Sequence, residues 1–306
     1  MHILIAGATG AAGRALIPLL IANGHSVTGT TRSESKTGEL RALGANAQVM
    51  DGLDAASVKT AIDATQPDVI VHQMTALTGI DMRNIDKAFK LTNRLRTEGT
   101  EHLLAAAKGK LLIALSCAGW PYARTGDPVK TENDPLDPDP PKGIRETHAA
   151  IRRLEQLTTE AGGIVLRYGG FYGPGTGMAP DGEQAAMIRK RQFPLVGDAA
   201  GVWSFLHTDD LATATLAAIE HGRPGEIYNI VDDEPAPVKE WLPFLSQQLG
   251  AKPPRRLPAW LVRLVASPAA VAMMTESRGA SNAKAKAELG WNPTHPSWRK
   301  GFTANA

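Results

Sequence analysis

Three glycines at positions 7, 10 and 13, in GATGAAG, follow a short apolar run (HILIA, 2–6) and open a segment of helical periodicity. In that context Gly7 permits a tight turn, Gly10 lets backbone approach a pyrophosphate, and Gly13 allows a helix to pack close on a strand. Thr9, Ala11 and Ala12 complete the turn, where the helix start offers free N–H groups to an anion. The spacing predicts a bound dinucleotide. At the end of the next apolar run stands Thr30-Thr31-Arg32-Ser33. An acid there would accept hydrogen bonds from the ribose hydroxyls, but Arg32 offers a planar, permanently charged fork suited to a 2′-phosphate, with Ser33 and Lys36 as helpers. NADP is therefore expected, with NAD as the alternative if Arg32 is merely solvated and Glu34 takes the ribose.

Cys117 is the one cysteine. It invites a nucleophile, but no base partner can be assigned to it, and a buried small hydrophobe is the expectation. His207 precedes Thr208-Asp209-Asp210, a pattern of helix capping; no further ligand stands at metal spacing, so no metal is expected.

The elements that position these residues follow from periodicity. HILIA, SVTGT (26–30), AQVM (47–50), DVIVH (68–72), LLIALS (111–116) and GIVLRY (163–168) are short apolar runs bounded by Gly, Pro, Asp or Lys, as buried parallel strands are. Between them Ile85, Phe89, Thr92, Leu95, Gly99, Leu103 and Ala106 recur at three- or four-residue steps, as do Ile144, Thr147, His148, Ile151 and Leu154. The alternation predicts an α/β doubly wound parallel sheet, a Rossmann fold. After Tyr168 the winding gives way to GGFYGPGTG, a strand-like VWSFLH (202–207), EIYNIV (226–231) and helical pieces split by prolines. The expected division is a dinucleotide-binding domain over 1–170, to which 202–231 returns, and a smaller, mostly helical C-terminal substrate cap over 171–201 and 232–306. DPVKTENDPLDPDPPK (127–142) reads as loop.

Composition narrows the rest. Thirty-three Lys and Arg against 31 Asp and Glu in 306 residues leave a net charge of +2, too little to draw the chain to nucleic acid. The single cysteine fits a reducing compartment, and MHILIAGATG carries no export signal, so a cytoplasmic location is expected. The most apolar late stretch, 258–274, is broken by Arg263 and Pro268, so no membrane span is expected.

Taken in order, GATGAAG, Asp51-Gly52-Leu53-Asp54, VIVHQMTA (69–76), EGTEHLLAAA (98–107), LSCAG (115–119), LRYGGFYGPGT (166–176), FLHTDDLA (205–212) and SNAKAKAELGW (281–291) resemble the extended or atypical short-chain dehydrogenase/reductase family, which includes nucleotide-sugar epimerases and dehydratases. The resemblance implies that Asp51, with Gly52 beside it, contacts the adenine amine. It also implies that Met74 and Thr75 line the nicotinamide-side ribose, that Ser116 or Cys117 takes the catalytic serine position, that Tyr168 and Tyr172 lie at the nicotinamide end, and that Asp210 caps its helix. Dimers are common in the family, so a homodimer is a candidate assembly. The family's YxxxK pair is missing: no tyrosine lies between Ala123 and Arg167, and no lysine between Gly143 and Arg189. Aligning on Glu155 puts Thr147 and Ile151 at the two positions, and Arg96 stands where relatives often carry asparagine.

The resemblance implies a hydride-transferring oxidoreductase. Hydride transfer to a carbonyl develops an alkoxide that needs a proton or a strong hydrogen bond. Candidates to replace the tyrosine are His148, on the inward stripe beside Thr147, and Tyr122, beyond Ser116 on a loop expected to reach over the nicotinamide; each has a core role as its alternative. Trp120, Met178, Met187, Trp203, Met273 and Met274 are expected around the cleft, which implies an apolar or aromatic small-molecule substrate, a carbonyl or alcohol. The rival expectation is a cofactor-binding protein without hydride turnover, a redox-sensing regulator or a non-redox isomerase or lyase.

Overall fold

The computed structural model describes residues 1–77 and 84–304. Seven strands form one parallel sheet: β1 (His2–Ala6), β2 (Ser26–Thr31), β3 (Asn46–Val49), β4 (Val69–His72), β5 (Leu111–Cys117), β6 (Ile164–Tyr168) and β7 (Ile227–Ile230). Their order is 3-2-1-4-5-6-7, every neighbouring pair parallel. The winding reverses between β1 and β4, where a doubly wound sheet opens a crevice beyond its carboxyl ends.

The helices are α1 (Ala11–Ala22), α2 (Thr37–Ala42), α3 (Ala55–Thr65), α4 (Ile85–Arg94), α5 (Thr100–Ala107), α6 (Arg145–Glu160), α7 (Glu183–Arg189), α8 (Thr208–His221), α9 (Val238–Gln248), α10 (Ala259–Val265), α11 (Pro268–Thr275), α12 (Ala283–Leu289) and α13 (Trp298–Ala304). Strand alternation sends Ile3 and Ile5 into a core with Leu16, Ile17 and Leu20 of α1 and Leu211 of α8. Leu4 and Ala6 go to the opposite face, with Val58 and Ile62 of α3 and Leu103 of α5. A separate aromatic core joins Tyr172, Ile188, Phe205, Trp241, Leu245, Trp298 and Phe302 on the C-terminal side of the crevice.

Three details depart from the periodicity. The helix expected without interruption from Ile85 to Ala106 has a π-helical turn at Leu95–Gly99 between α4 and α5. Residues 202–207 divide into two short strands, Val202–Trp203 and Phe205–His207. The 127–142 loop contributes Val129–Lys130, paired with Gly279–Ala280, a pairing only the distant partner makes possible. Among the described residues no helix is long and apolar enough to cross a membrane.

Candidate active site

A cleft of 740 Å³ runs along the carboxyl ends of β1, β2, β4, β5 and β6. Gly7, Thr9, Gly10, Ala11 and Ala12 line it. Gly7 has φ +89°, and a Cβ there would lie 2.8 Å from the Met74 Cα, so the turn needs glycine on both counts. Gly13 lies behind this wall, where a Cβ would sit 2.2 Å from the Ala8 carbonyl oxygen; it holds α1 against β1. Gly10 caps α1 without a side-chain hydrogen bond, which leaves the first amides of a twelve-residue helix available to an anion.

At the β2 end, Arg32, Ser33 and Lys36 line the cleft and Glu34 does not. Arg32 is exposed. The Asp51 carboxylate accepts from the Leu53 amide, 3.0 Å, and it is Met50 and Gly52 beside it that line the cleft. Met74 and Thr75 line the wall beyond β4. So does Gln73, which sequence reasoning passed over: its amide is buried, and neither its nitrogen nor its oxygen has a partner among the described residues. A buried primary amide left unpaired is costly unless a ligand completes it. An open helix start, an orphaned amide and the Arg32 edge are residues that fit a dinucleotide.

The β5 end differs from expectation. Ser116 lines the cleft, but its hydroxyl donates to the Glu155 carboxylate, 2.6 Å, which also holds Arg167 at 2.7 and 2.8 Å. Tyr122 does not reach over the cleft. It is wholly buried, donating to Asn229 Oδ1 (2.7 Å) and accepting from Arg167 (2.9 Å), and burial raises its pKa. His148 is likewise set apart: it lines a small separate cavity with Arg124 and Asp137 and meets Trp120 edge-on at 5.5 Å. Burial lowers its pKa to about 4, so near neutral pH it carries no proton on its second nitrogen to give. Thr147, at the vacant tyrosine position, is buried and donates to Asp86, 2.8 Å; Ile151 lies in the core.

Tyr168 lines the cleft, its hydroxyl paired with Thr215 at 2.6 Å. Tyr172 does not; it packs against Phe302 and His207 in the aromatic core, with Gly301 so close to its ring that a side chain there would clash. Cys117 borders the cleft, accepting from Arg96 at 3.3 Å, and burial pushes its thiol pKa up, away from thiolate. No tyrosine and lysine meet in the cleft: the described lining holds Tyr168 and, four strands away at the β2 end, Lys36.

Apolar groups close this end. Of the six expected around the cleft, Trp120, Trp203 and Met273 line it, joined by Phe89, Phe171 and Phe193; Met178 and Met274 are spent on the aromatic core, and Met187 lies off the lining. Asp210 does not cap its helix. His207 does, accepting from the Asp209 amide, while Asp210 accepts from the amides of Thr294 and His295 and anchors that turn. Folding also stacks His295 on His207, ring centroids 3.8 Å apart, with Asp209 nearby, a grouping that sequence spacing does not show. Both Nδ1 atoms are engaged, with the Asp209 amide and with Asp210.

Known proteins resemble this chain along its length. Residues 3–231 match the NAD dependent epimerase/dehydratase family. A 3-diazoavenalumate denitrifying reductase from a Streptomyces species is 43% identical over 99% of each chain. A quinoline-1-oxide ketoreductase from Stigmatella aurantiaca is 29% identical over 82% of this chain and 74% of its own. Among solved structures, the UDP-glucose 4-epimerase of Thermotoga maritima, with UDP-glucose, superposes with a TM-score of 0.76 at 25% identity, covering 100% of this chain and 97% of that one. With its 3-2-1-4-5-6-7 sheet and its cleft at the strand reversal, the chain belongs to the NAD dependent epimerase/dehydratase family, as an NAD(P)-dependent oxidoreductase of the extended short-chain type that lacks the Tyr-Lys pair.

Proposed function

We propose that the chain is an NADPH-dependent reductase of a small aromatic substrate whose reduction draws no proton from the protein. The observation that carries this reading is the β5 end of the cleft: an aromatic wall beside which the hydroxyls of Ser116 and Tyr168 are already committed, to Glu155 and Thr215. Bound in the cleft, the nicotinamide supplies a hydride. A carbonyl that accepts one becomes an alkoxide and calls for a proton donor. A diazo-substituted ring can instead accept one at the carbon that bears the diazo group: the C–H bond forms as the C–N bond breaks, its electron pair leaves with N₂, and no oxyanion forms. The reductase similar over 99% of this chain is named for a diazo substrate and a denitrifying reaction, which supports the second class.

NADPH over NADH rests on the β2 end, where Arg32, Ser33 and Lys36 border the cleft and Glu34 is not part of its lining. Gln73 and the amides opening α1 hold the rest of the dinucleotide, while Trp120, Phe89 and Phe193 wall in the substrate ring. The test offers the protein NADPH with diazotised 3-aminocinnamate and, separately, with a panel of aromatic aldehydes and ketones. NADPH consumption with release of N₂ is expected for the first and little consumption for the second. Tight NADPH binding with no consumption in either arm would favour a cofactor-binding protein without hydride turnover, the reading to which the missing Tyr-Lys pair lends support.

A further inference from the structure

Arg96 is a buried cation without a counter-ion among the described residues. Its side chain is 3% exposed and lies on the π-helical turn at Leu95–Gly99, the kind of helix defect that proteins keep at functional sites. Its Nη2 donates to the uncharged Cys117 thiol at 3.3 Å, its guanidinium carbon lies 5.7 Å from the centre of the Phe89 ring, and its Nη1 has no partner at all among the described residues. A guanidinium taken out of water without a carboxylate or a full set of acceptors is strongly disfavoured, and the described residues leave room for a ligand to complete it. The same residue borders the cleft, between Cys117 and the aromatic wall of Phe89 and Trp120.

The π-turn shows how the fold tolerates this placement. Thr100 donates its hydroxyl to the Arg96 carbonyl, 2.7 Å, and the helix continues into α5 with its backbone paired. The neighbouring buried imidazole is no counter-charge either. His72 is held neutral by burial, its pKa lowered to about 4, with its Nε2 at the Leu95 carbonyl.

We infer that Arg96 is the substrate's anion receptor, binding the carboxylate of an aromatic acid whose ring lies against Phe89 and Trp120. A carboxylate suits it better than a phosphate. The other cations on the cleft lining, Arg32 and Lys36, belong to the β2 end, so one guanidinium faces the substrate end and matches one negative charge. This deepens the reductase reading and rests on its aromatic substrate. The chosen test measures binding without turnover, so it stands even if no hydride is transferred.

Titrate the NADP⁺-loaded protein with trans-cinnamate and with its uncharged isostere cinnamamide, following heat by calorimetry. Wild type should bind cinnamate about ten- to a hundredfold more tightly than the amide, the range of a charge-assisted bond to a buried group. In Arg96→Gln that preference should vanish while NADP⁺ affinity stays within about twofold, a control that also reports folding; Arg96→Lys, which keeps the charge and loses the fork, should retain part of it. Failure of wild type to bind cinnamate, or equal affinity for acid and amide, would overturn the inference. So would an Arg96→Gln protein that loses NADP⁺ binding and keeps the acid preference, since Arg96 would then serve the cofactor.

Discussion

Whether a polar side chain can do chemistry depends on what else it already holds. Ser116, Tyr122 and His148 are the right residue types in the right stretch of chain, yet Ser116 is bonded to Glu155, Tyr122 bridges Asn229 and Arg167, and His148 sits behind Trp120. Nothing in the sequence shows this, because the partners of Tyr122 lie 45 and 107 residues away. The opposite holds for Arg32, whose position at the end of β2 was legible from the glycine loop and the strand count. Arg32→Ala should weaken NADPH binding about ten- to a hundredfold and leave NADH nearly unchanged, as titration of both cofactors would show. Equal wild-type affinities for the two would refute the 2′-phosphate role. Tyr122→Phe should act on stability: it strips partners from two buried groups and should cost about 1–3 kcal/mol in denaturant unfolding, with cofactor affinity kept. A collapse of turnover at unchanged stability would return Tyr122 to the catalytic centre.

Elements were the most legible level. Parallel strands buried on both faces read as unbroken apolar runs, and the glycine loop fixes the first β–α–β unit, so the sheet could be laid out from sequence. The π-turn could not, since Leu95 and Gly99 keep the same three- and four-residue steps as the helix around them and only one extra residue's worth of backbone differs. The two-residue strand Val129–Lys130 was equally hidden, defined by a distant partner. Two tests belong here. Gly13→Ala places a methyl group against the Ala8 carbonyl and must push α1 off β1; a loss of about 1–3 kcal/mol in stability and weaker NADPH binding are expected, and a neutral substitution would contradict the packing. On α6, the folded His148 resists protonation down to about pH 4 while the unfolded imidazole takes a proton near 6.5. Between those values the unfolded state binds more protons, so stability falls as the pH drops through this window, by at most about 3 kcal/mol. His148→Phe should flatten the slope by up to one proton, read from unfolding free energies across that range; an unchanged slope would mean that His148 titrates normally.

At the scale of the molecule, the parallel sheet forms one wall of the cleft and the aromatic core braces the opposite one, so the cleft lies between two hydrophobic cores. The Gly- and Pro-rich break after Tyr168 marks in the sequence where the regular winding ends, but not which aromatic residues the C-terminal core keeps for its own packing. Tyr172, Met178 and Met274 went to the core, while Phe89, Phe171 and Phe193 came to the cleft, a partition set by tertiary packing and invisible to composition. The account's central claim is that this cleft passes hydride from a nicotinamide to an aromatic substrate without a protein proton donor. Isotope transfer tests it most directly: incubate the protein with NADPH deuterated at the transferable position of its nicotinamide ring and with diazotised 3-aminocinnamate, then analyse the denitrified product by mass spectrometry. The account predicts one deuterium on the ring carbon that bore the diazo group and turnover that does not depend on a group titrating near neutral pH. Product that forms without deuterium, or none at all with NADPH tightly bound, would contradict it.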